Sequence, residues 1–187
     1  MSARKPLIAV IGDGQVPRGS AEAELAEELG RRLVESGFRL LTGGLGGVME
    51  AASRGARGSP SFQPGDTVGL LPGFDPADAN PWVDVAIATG LDHLRNGLVA
   101  SADAVVAVGG GAGTLAELCH AWILKRMVIA FRVAGWSGRV ADAPLDPVPR
   151  YPDIPDDRIY GVDSPVEVTA LLRERLALYG NRSPSRK

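Results

Sequence analysis

Glycine forms two clusters in this chain, and each cluster follows a short apolar run. They hold eight of the 24 glycines, namely Gly43, Gly44, Gly46 and Gly47 in the first, and Gly109, Gly110, Gly111 and Gly113 in the second. A turn built of glycine brings backbone N–H groups close to an anion, and a following helix adds partial positive charge, so such turns favour a phosphate group. Glycine also serves tight turns that need a positive φ, so turning alone is the alternative for either cluster.

Three titratable residues accompany the clusters, and each has a functional and a structural interpretation. Glu117 follows Thr114 by three residues, so it either acts as a general acid–base or completes an N-terminal capping box with Thr114, which the spacing favours. Arg95 clamps a phosphate, keeps Glu117 ionised, or is a solvated arginine on a helix surface, and the residue type alone favours the last of these. Asp13 follows the first apolar run, where it meets a ligand hydroxyl or stabilises the turn.

The composition excludes several classes of site and partner. A formal net charge of -2 argues against general nucleic-acid binding, because phosphate backbones require clustered positive charge. The single cysteine, Cys119, cannot form an internal disulfide or a CxxC metal site, and we expect no metal. No GxxxxGK(S/T) motif is present, which excludes a P-loop. Residues 111–116 match GxGxx(G/A) after the fifth apolar run, and Arg132 stands where an acidic residue would bind a ribose, so NADP binding is an alternative.

Apolar runs alternate with segments of helical periodicity, and this alternation is typical of parallel βαβ units. It predicts strands at 7–12, 38–42, 67–71, 83–88, 103–108 and 128–133. Helices are predicted at 20–36, 48–57, 91–102 and 114–125, and a last helix is predicted between the cap Ser164 and Gly180. Residues 142–157 hold five prolines and five aspartates, so we expect an extended surface loop without packed elements.

These elements predict an α/β fold, a doubly wound, mainly parallel Rossmann-like sheet with helices on both faces. We expect a single domain over 1–180 and a disordered tail over 181–187. Ligands bind such sheets at the carboxyl ends of the strands, where both glycine clusters lie, together with Gly12, Asp13, Gly14, Thr89 and Gly90. Several loops would line one crevice, which favours a nucleotide or a phosphorylated pterin over inorganic phosphate. No apolar run suits a signal peptide or a membrane span, so we expect a cytoplasmic protein without a membrane partner.

A set of motifs, taken in order along the chain, resembles the LONELY GUY superfamily of Rossmann-like SLOG proteins. The matching segments are 43–50 (GGLGGVME), 71–73 (LPG), 89–90 (TG), 95–96 (RN) and 109–117 (GGGAGTLAE). The resemblance extends over residues 7–133. It implies a ligand site at the two glycine clusters that also includes Arg95, Asn96, Thr114 and Glu117.

The resemblance leaves two functional branches open. Cytokinin-activating enzymes cleave the N-glycosidic bond of a nucleoside 5′-monophosphate such as AMP or a cytokinin riboside monophosphate, and by their motif Glu117 matches the catalytic glutamate and Arg95 the catalytic arginine. Gly109 stands where that motif has proline, and Asn96 where it has lysine. These departures favour the other branch, the molybdenum cofactor (molybdopterin) carrier and binding proteins. That branch implies binding of the phosphate and the pterin without turnover.

The superfamily also carries a lysine decarboxylase label, which the lysines of this chain do not support. Pyridoxal phosphate chemistry requires a Schiff-base lysine. Lys5 precedes the first predicted strand, Lys187 is the last residue, and Lys125 ends a helix far from the glycine cluster at its start. We therefore expect no pyridoxal phosphate. A homodimer or a higher homo-oligomer is implied by the superfamily and not by composition.

Overall fold

The computed structural model describes residues 4–154 and 156–180, which form a seven-stranded parallel sheet with helices on both faces. The strands are β1 (Leu7–Gly12), β2 (Arg39–Thr42), β3 (Thr67–Leu71), β4 (Val85–Ala88), β5 (Ala104–Val108), β6 (Met127–Phe131) and β7 (Ile159–Val162). The helices are α1 (Ala21–Glu35), α2 (Val48–Arg57), α3 (Asn96–Val99), α4 (Ala112–Ile123), α5 (Trp136–Val140) and α6 (Pro165–Tyr179). Short 3₁₀ turns lie at Pro76–Asp78 and Asp92–Arg95. The predicted doubly wound α/β fold is confirmed.

The strand order is β4-β3-β2-β1-β5-β6-β7, so the sheet grows in one direction from β1 and then in the other from β5. In doubly wound sheets this reversal opens a crevice at the carboxyl ends of the two central strands. Gly12 at the end of β1 is in register with Val108 at the end of β5. Because β2 flanks β1 on its other side, the two glycine clusters emerge at one edge of the sheet, on either side of β1.

Apolar side chains fill a core on both faces of the sheet. One face packs against α1, α2 and α6, where Leu29, Ala52 and Leu172 are at most 1% exposed. The other face packs against α3, α4 and α5 around the buried Val99 and Leu118. Strands β5 and β6 are buried along their whole length, which explains why they are continuous apolar runs in the sequence. Within the described ranges, no helix is both long and apolar enough to cross a bilayer.

Much of the predicted secondary structure is confirmed. The first predicted strand, the helix at 48–57 and the strand at 67–71 agree with β1, α2 and β3 at both ends. The side chain of Ser20 caps α1 by accepting a hydrogen bond from the Ala23 amide, and Ser164 caps α6 through the Glu167 amide. The predicted disordered tail lies outside the described residues.

The helix predicted at 91–102 is confirmed only in part, and two elements were not predicted. The segment forms a 3₁₀ turn followed by the four residues of α3. Asp92 adopts a positive φ of 49°, which a regular helix does not allow. Neither β7 nor α5 was predicted; β7 has four residues and α5 has five. Strand β7 nevertheless pairs with β6 and buries Ile159.

The described residues of 142–157 form neither a helix nor a strand and are mostly exposed, as expected for a surface loop, but the later part of the segment packs against the rest of the protein. Its buried residues include Arg150, Tyr151 and Ile154. The guanidinium of Arg150 lies 3.5 Å from the centroid of the Trp122 ring and pairs with Asp157 at 2.7 Å. Prolines reduce the conformational entropy that a segment loses on folding, so a few buried side chains suffice to hold it against α4.

Candidate functional site

A cleft of about 470 Å³ opens at the carboxyl edge of the sheet, where β1, β2 and β5 end. Ten residues of the predicted site line it, namely Gly12, Asp13, Gly14, Gly43, Arg95, Asn96, Gly111, Gly113, Thr114 and Glu117. Seven others lie outside its lining: Gly44, Gly46, Gly47, Thr89, Gly90, Gly109 and Gly110. The structure therefore brings residues from both glycine clusters into one cleft, but each cluster contributes only part of its glycines.

The start of α4 supplies backbone amides to the cleft. The Leu115 amide donates to the Gly111 carbonyl at 3.0 Å, which is the first hydrogen bond of the helix. The amides of Ala112, Gly113 and Thr114 precede that bond and have no intrahelical acceptor. Among the residues that the structure describes, no side chain caps this helix. Together with the positive end of the helix dipole, these amides are suited to bind an anion.

The first two glycines of the second cluster turn the chain behind the cleft. Gly109 and Gly110 adopt φ values of 62° and 91°. The Gly109 amide donates to Ser137 Oγ at 2.8 Å, and the Gly110 carbonyl accepts from the Trp136 amide at 2.9 Å. These hydrogen bonds tie the turn to α5. The Gly109 amide is thus used within the protein, and donors for a ligand come from the start of α4.

The first glycine cluster packs the loops after β1 and β2 against each other. A Cβ atom on Gly47 would lie 2.2 Å from the carbonyl oxygen of Asp13. The Val48 amide donates to the same carbonyl at 2.9 Å. The Gly44 amide donates to Thr42 Oγ1 at 3.1 Å. This cluster therefore uses its glycines for close approach and internal hydrogen bonds, and Gly43 is its member that lines the cleft.

Arg95 and Glu117 form an ion pair inside the cleft. Arg95 Nη1 lies 3.7 Å from Glu117 Oε1, which is longer than a hydrogen bond. Both residues are only 8% exposed. Among the described residues, Arg95 Nε is buried without a hydrogen-bond partner. The guanidinium of Arg95 packs directly over Gly43, whose missing side chain leaves the space.

Burial governs the charge of both side chains. It raises the pKa of Glu117 to about 7, although the attraction of Arg95 acts in the opposite direction. It also lowers the pKa of Arg95, against the attraction of Glu117 and Asp92. A guanidinium still keeps its proton at neutral pH, whereas the Glu117 carboxyl exchanges its proton there. The cleft therefore combines a permanent cation with a carboxyl group suited to acid–base chemistry or to hydrogen bonding.

Comparison with known proteins identifies the family. The model of the SLOG cluster4 family matches residues 5–147, which is more than half of the chain. The chain belongs to the SLOG cluster4 family. The resemblance drawn from the sequence motifs is thereby confirmed at the level of the SLOG superfamily. An uncharacterized protein of Archaeoglobus fulgidus is 38% identical to this SLOG protein over 115 residues, covering 61% of this chain and 72% of that protein.

Solved structures share the fold of this SLOG protein over most of its length. The molybdenum cofactor binding protein of the phototrophic bacterium Rippkaea orientalis is 31% identical, with a TM-score of 0.74, and the match covers 92% of this chain and 98% of that one. The molybdenum cofactor carrier protein of Chlamydomonas reinhardtii is 30% identical, with a TM-score of 0.73 and coverage of 93% and 99%. DNA processing protein A of Helicobacter pylori, at 15% identity, a TM-score of 0.60 and coverage of 90% and 80%, is similar in fold alone.

Two structural interpretations of the SLOG site residues are wrong. Thr114 does not form a capping box with Glu117, because α4 begins at Ala112 and Thr114 already lies inside it. The Thr114 side chain instead packs against Gly110, where a Cβ atom would lie 2.2 Å from Thr114 Oγ1. Arg95 is not a solvated arginine on a helix surface, because the cleft buries it.

Asp13, Thr89 and Gly90 take part in turns of the SLOG fold. Asp13 Oδ1 accepts a hydrogen bond from the Gln15 amide at 2.8 Å, as in an Asx turn. Thr89 Oγ1 donates to the Leu71 carbonyl at 2.7 Å, and Gly90 adopts a φ of 64°. This turn leads the chain from β4 into the 3₁₀ turn that carries Arg95. Contact between Asp13 and a ligand stays a prediction.

Gln15, Met49 and His93 also line the cleft and were not among the predicted site residues. Met49 lies in α2 directly after the first glycine cluster, so its place within the matched motif was the available signal. His93 lies two residues before Arg95, and its side chain is 89% exposed at the rim. Within the described residues, no group of three or more His, Cys, Asp or Glu side chains is arranged to hold a metal ion.

Proposed function

We propose that this protein binds the molybdenum cofactor through its phosphate and acts as a carrier or binding protein that does not turn the ligand over. The observation that carries this proposal is the uncapped start of α4, whose amides share a cleft with the incompletely paired Arg95. The choice of ligand is supported by the molybdenum cofactor binding and carrier proteins, which are 31% and 30% identical to this chain. We also propose that the protein is located in the cytoplasm, as the sequence leads us to expect.

The dimensions and charge of the cleft suit such a ligand. Its volume of about 470 Å³ falls within the roughly 300–1,000 Å³ that small-molecule sites occupy. The amides of α4 would bind the phosphate, and Arg95 would add a charge-assisted hydrogen bond or a longer-range attraction. The cleft also lies at the point where the sheet reverses its direction of growth, which is where doubly wound sheets bind ligands.

A charge placed at Gly113 tests this proposal. A Cβ atom there meets no atom within 4 Å, so Gly113→Asp and Gly113→Asn should both fold. Aspartate near a helix N-terminus stabilises the helix but repels an anion bound there. We expect wild type to retain purified molybdenum cofactor on gel filtration, measured as bound molybdenum and pterin, and the Asp variant to bind at least about tenfold more weakly than the Asn variant.

The Asn variant differs from the Asp variant only in charge, so it is the matched control. Equal binding by the two variants would exclude the start of α4 as the phosphate site. Failure of the wild type to bind purified molybdenum cofactor under conditions in which the protein is folded would exclude the ligand itself.

A second candidate function is hydrolysis of a nucleoside 5′-monophosphate, which the raised pKa of Glu117 favours. A carboxyl group with a pKa of about 7 is suited to assist water attack at the anomeric carbon, and Arg95 at 3.7 Å would orient the reacting groups. Incubation with AMP and with a cytokinin riboside monophosphate, followed by chromatography of the free base, tests this candidate. Base release that Glu117→Gln abolishes would establish the hydrolase and contradict the carrier.

We also propose that the protein forms a homodimer or a higher homo-oligomer. The exposed apolar side chains on β4 and the segment after it are Val85, Ile87, Leu91, Leu94 and Leu98. Exposed apolar surface of this kind is typical of interfaces. We expect Leu94→Asp to reduce the mass in solution to that of one chain, as measured by light scattering after gel filtration. A wild type with the mass of one chain would contradict the proposal.

A further inference from the structure

We infer that Arg95 and Glu117 form hydrogen bonds with the ring of the ligand and determine which ring is bound. They select a heterocycle that carries two adjacent N–H donors next to a carbonyl acceptor, as in the 2-amino-4-oxo edge of a pterin. This inference rests on the proposed binding of a phosphate-bearing ligand and adds a specificity for its ring. Both residues act here as specificity-determining groups, which requires no chemical step.

The two side chains are almost buried, yet they retain hydrogen-bonding capacity. Each residue is 8% exposed. Arg95 Nε has no partner in the described part of the chain, and the 3.7 Å between Nη1 and Glu117 Oε1 is too long for a hydrogen bond. No hydrogen bond to the Glu117 carboxylate is found within 4–154 and 156–180. Because buried polar groups in native proteins are nearly always paired, the Glu117 carboxylate and the outer nitrogens of the Arg95 guanidinium, which line the cleft, are suited to a partner that enters it.

The position of Glu117 places it within reach of a ligand held at the start of α4. Gly113 and Glu117 are one helical turn apart and both line the cleft. At 1.5 Å per residue, four residues correspond to about 6 Å along the helix axis. A phosphate at the α4 amides would therefore bring an attached ring system towards the Arg95–Glu117 pair.

The donors and acceptors of the pair complement one particular ring edge. A carboxylate accepts two parallel hydrogen bonds, so Glu117 matches the 2-amino group and the neighbouring ring N–H. A guanidinium donates two, so Arg95 matches the 4-oxo oxygen and the adjacent ring nitrogen, as arginine does on guanine. In the same orientation, and at a pH at which Glu117 is ionised, a 2,4-diamino ring would instead direct an amino group at Arg95 and an unprotonated nitrogen at the Glu117 carboxylate. Both contacts would then be unfavourable.

The other titratable side chains that line the cleft are less suited to this role. The carboxylate of Asp13 already accepts the Gln15 amide at 2.8 Å. The side chain of His93 is 89% exposed, so solvent competes for its hydrogen bonds. Burial and missing partners thus distinguish Arg95 and Glu117 from their neighbours in the cleft.

Two probes that differ only at the ring edge test the inference. They are 6-hydroxymethylpterin monophosphate and its 2,4-diamino counterpart, titrated into the full-length protein by calorimetry. We expect wild type to bind the pterin about 10- to 100-fold more tightly than the diamino compound. Glu117→Gln should reduce this ratio at least about tenfold, because the carboxamide replaces an acceptor by a donor. Glu174→Gln, on the exposed surface of α6, is the matched control and should keep the wild-type ratio.

The ratio of the two affinities separates recognition of the ring from binding of the phosphate. Equal affinities of wild type for the two probes would overturn the inference and leave the phosphate site intact. An unchanged ratio in Glu117→Gln would overturn the role of Glu117. If neither probe binds to the folded wild type, the proposed function fails together with the inference. Arg95→Lys, which keeps the charge but loses the planar fork, should also lower the ratio of the two affinities.

Discussion

The guanidinium of Arg95 lies on the backbone of Gly43, where a Cβ atom would be 2.3 Å from Arg95 Nη1. The two residues come from different loops, after β2 and after β4, and meet beside the start of α4. The first glycine cluster therefore contributes space for a buried cation, while the second leads into the helix that supplies amides. This division of roles links the packing of the loops to the charge of the cleft.

A side chain at position 43 should displace Arg95 without unfolding the protein. The three atoms nearest to a Cβ atom there belong to two flexible side chains, those of Arg95 and Met49. We expect Gly43→Ala to lower the free energy of unfolding by about 1 kcal/mol and to weaken anion binding about fivefold or more. Gly58→Ala is the control, because its Cβ would meet the Arg54 carbonyl oxygen at 3.4 Å and lies outside the cleft lining. Equal binding by both variants would contradict the role of Gly43.

The stability of the ligand-free protein should fall as the pH rises from about 5 to 8. The pKa of Glu117 is about 7 in the folded protein against an ordinary value of 4.5. The folded state therefore holds a proton that the unfolded state releases, and its stabilising contribution is fully present below pH 4.5 and lost above about pH 7. The contribution amounts to about 3 kcal/mol. Urea unfolding at several pH values should show this slope for wild type and lose it in Glu117→Gln.

Gly110 should tolerate substitution far less than Gly113. Gly110 adopts a φ of 91°, and a Cβ there would lie 2.2 Å from Thr114 Oγ1. We expect Gly110→Ala to cost about 1–3 kcal/mol of stability and to shift the start of α4. Gly113 has open space and lies in the helix, so Gly113→Ala should keep or raise stability, by up to about 1 kcal/mol. Thermal melts of the two variants check the contrast, and equal melting temperatures would contradict it.

Arg150, which packs at the other end of α4, should affect the stability of the protein and not ligand binding in the cleft. Arg150 donates to Asp157 at 2.9 and 2.7 Å and to the carbonyls of Trp122 and Arg126 at 3.2 and 3.1 Å. Arg150→Met leaves the buried carboxylate of Asp157 without a cation and with a hydrogen bond from the Tyr179 hydroxyl, so we expect a loss of about 3 kcal/mol in chemical denaturation. The exposed neighbour Arg158→Met should change stability by less than about 0.5 kcal/mol. A small effect at Arg150 would show that the packed segment does not depend on this ion pair.

Local patterns predicted the sheet better than the segments around it. The strands β1, β3 and β5 are apolar runs bounded by glycine, proline or aspartate, so their position follows from residues close in sequence. The segment 142–157 has a composition typical of a loop, yet Arg150 and Tyr151 find buried partners on α4 and α6. The segment 91–102 has a helical composition, yet positive φ values at Gly90 and Asp92 redirect it. The amides of Gly90 and Asp92 donate to the carbonyls of Gly73 and Pro72, so these contacts, like those of Arg150 and Tyr151, join residues distant in sequence, and a local pattern does not predict them.

The sequence by itself determined the doubly wound fold and the edge of the sheet at which both glycine clusters lie, because parallel strands followed by helices bring all βα loops to one edge. The tertiary structure decided which backbone amides remain available at that edge. It also buried Arg95 and Glu117 together, although their residue types alone do not distinguish them from surface residues. Arg95 and Glu117 are 22 residues apart in sequence and 3.7 Å apart in space. Their burial and charge depend on loops that meet only after folding, so residue type and spacing do not encode them.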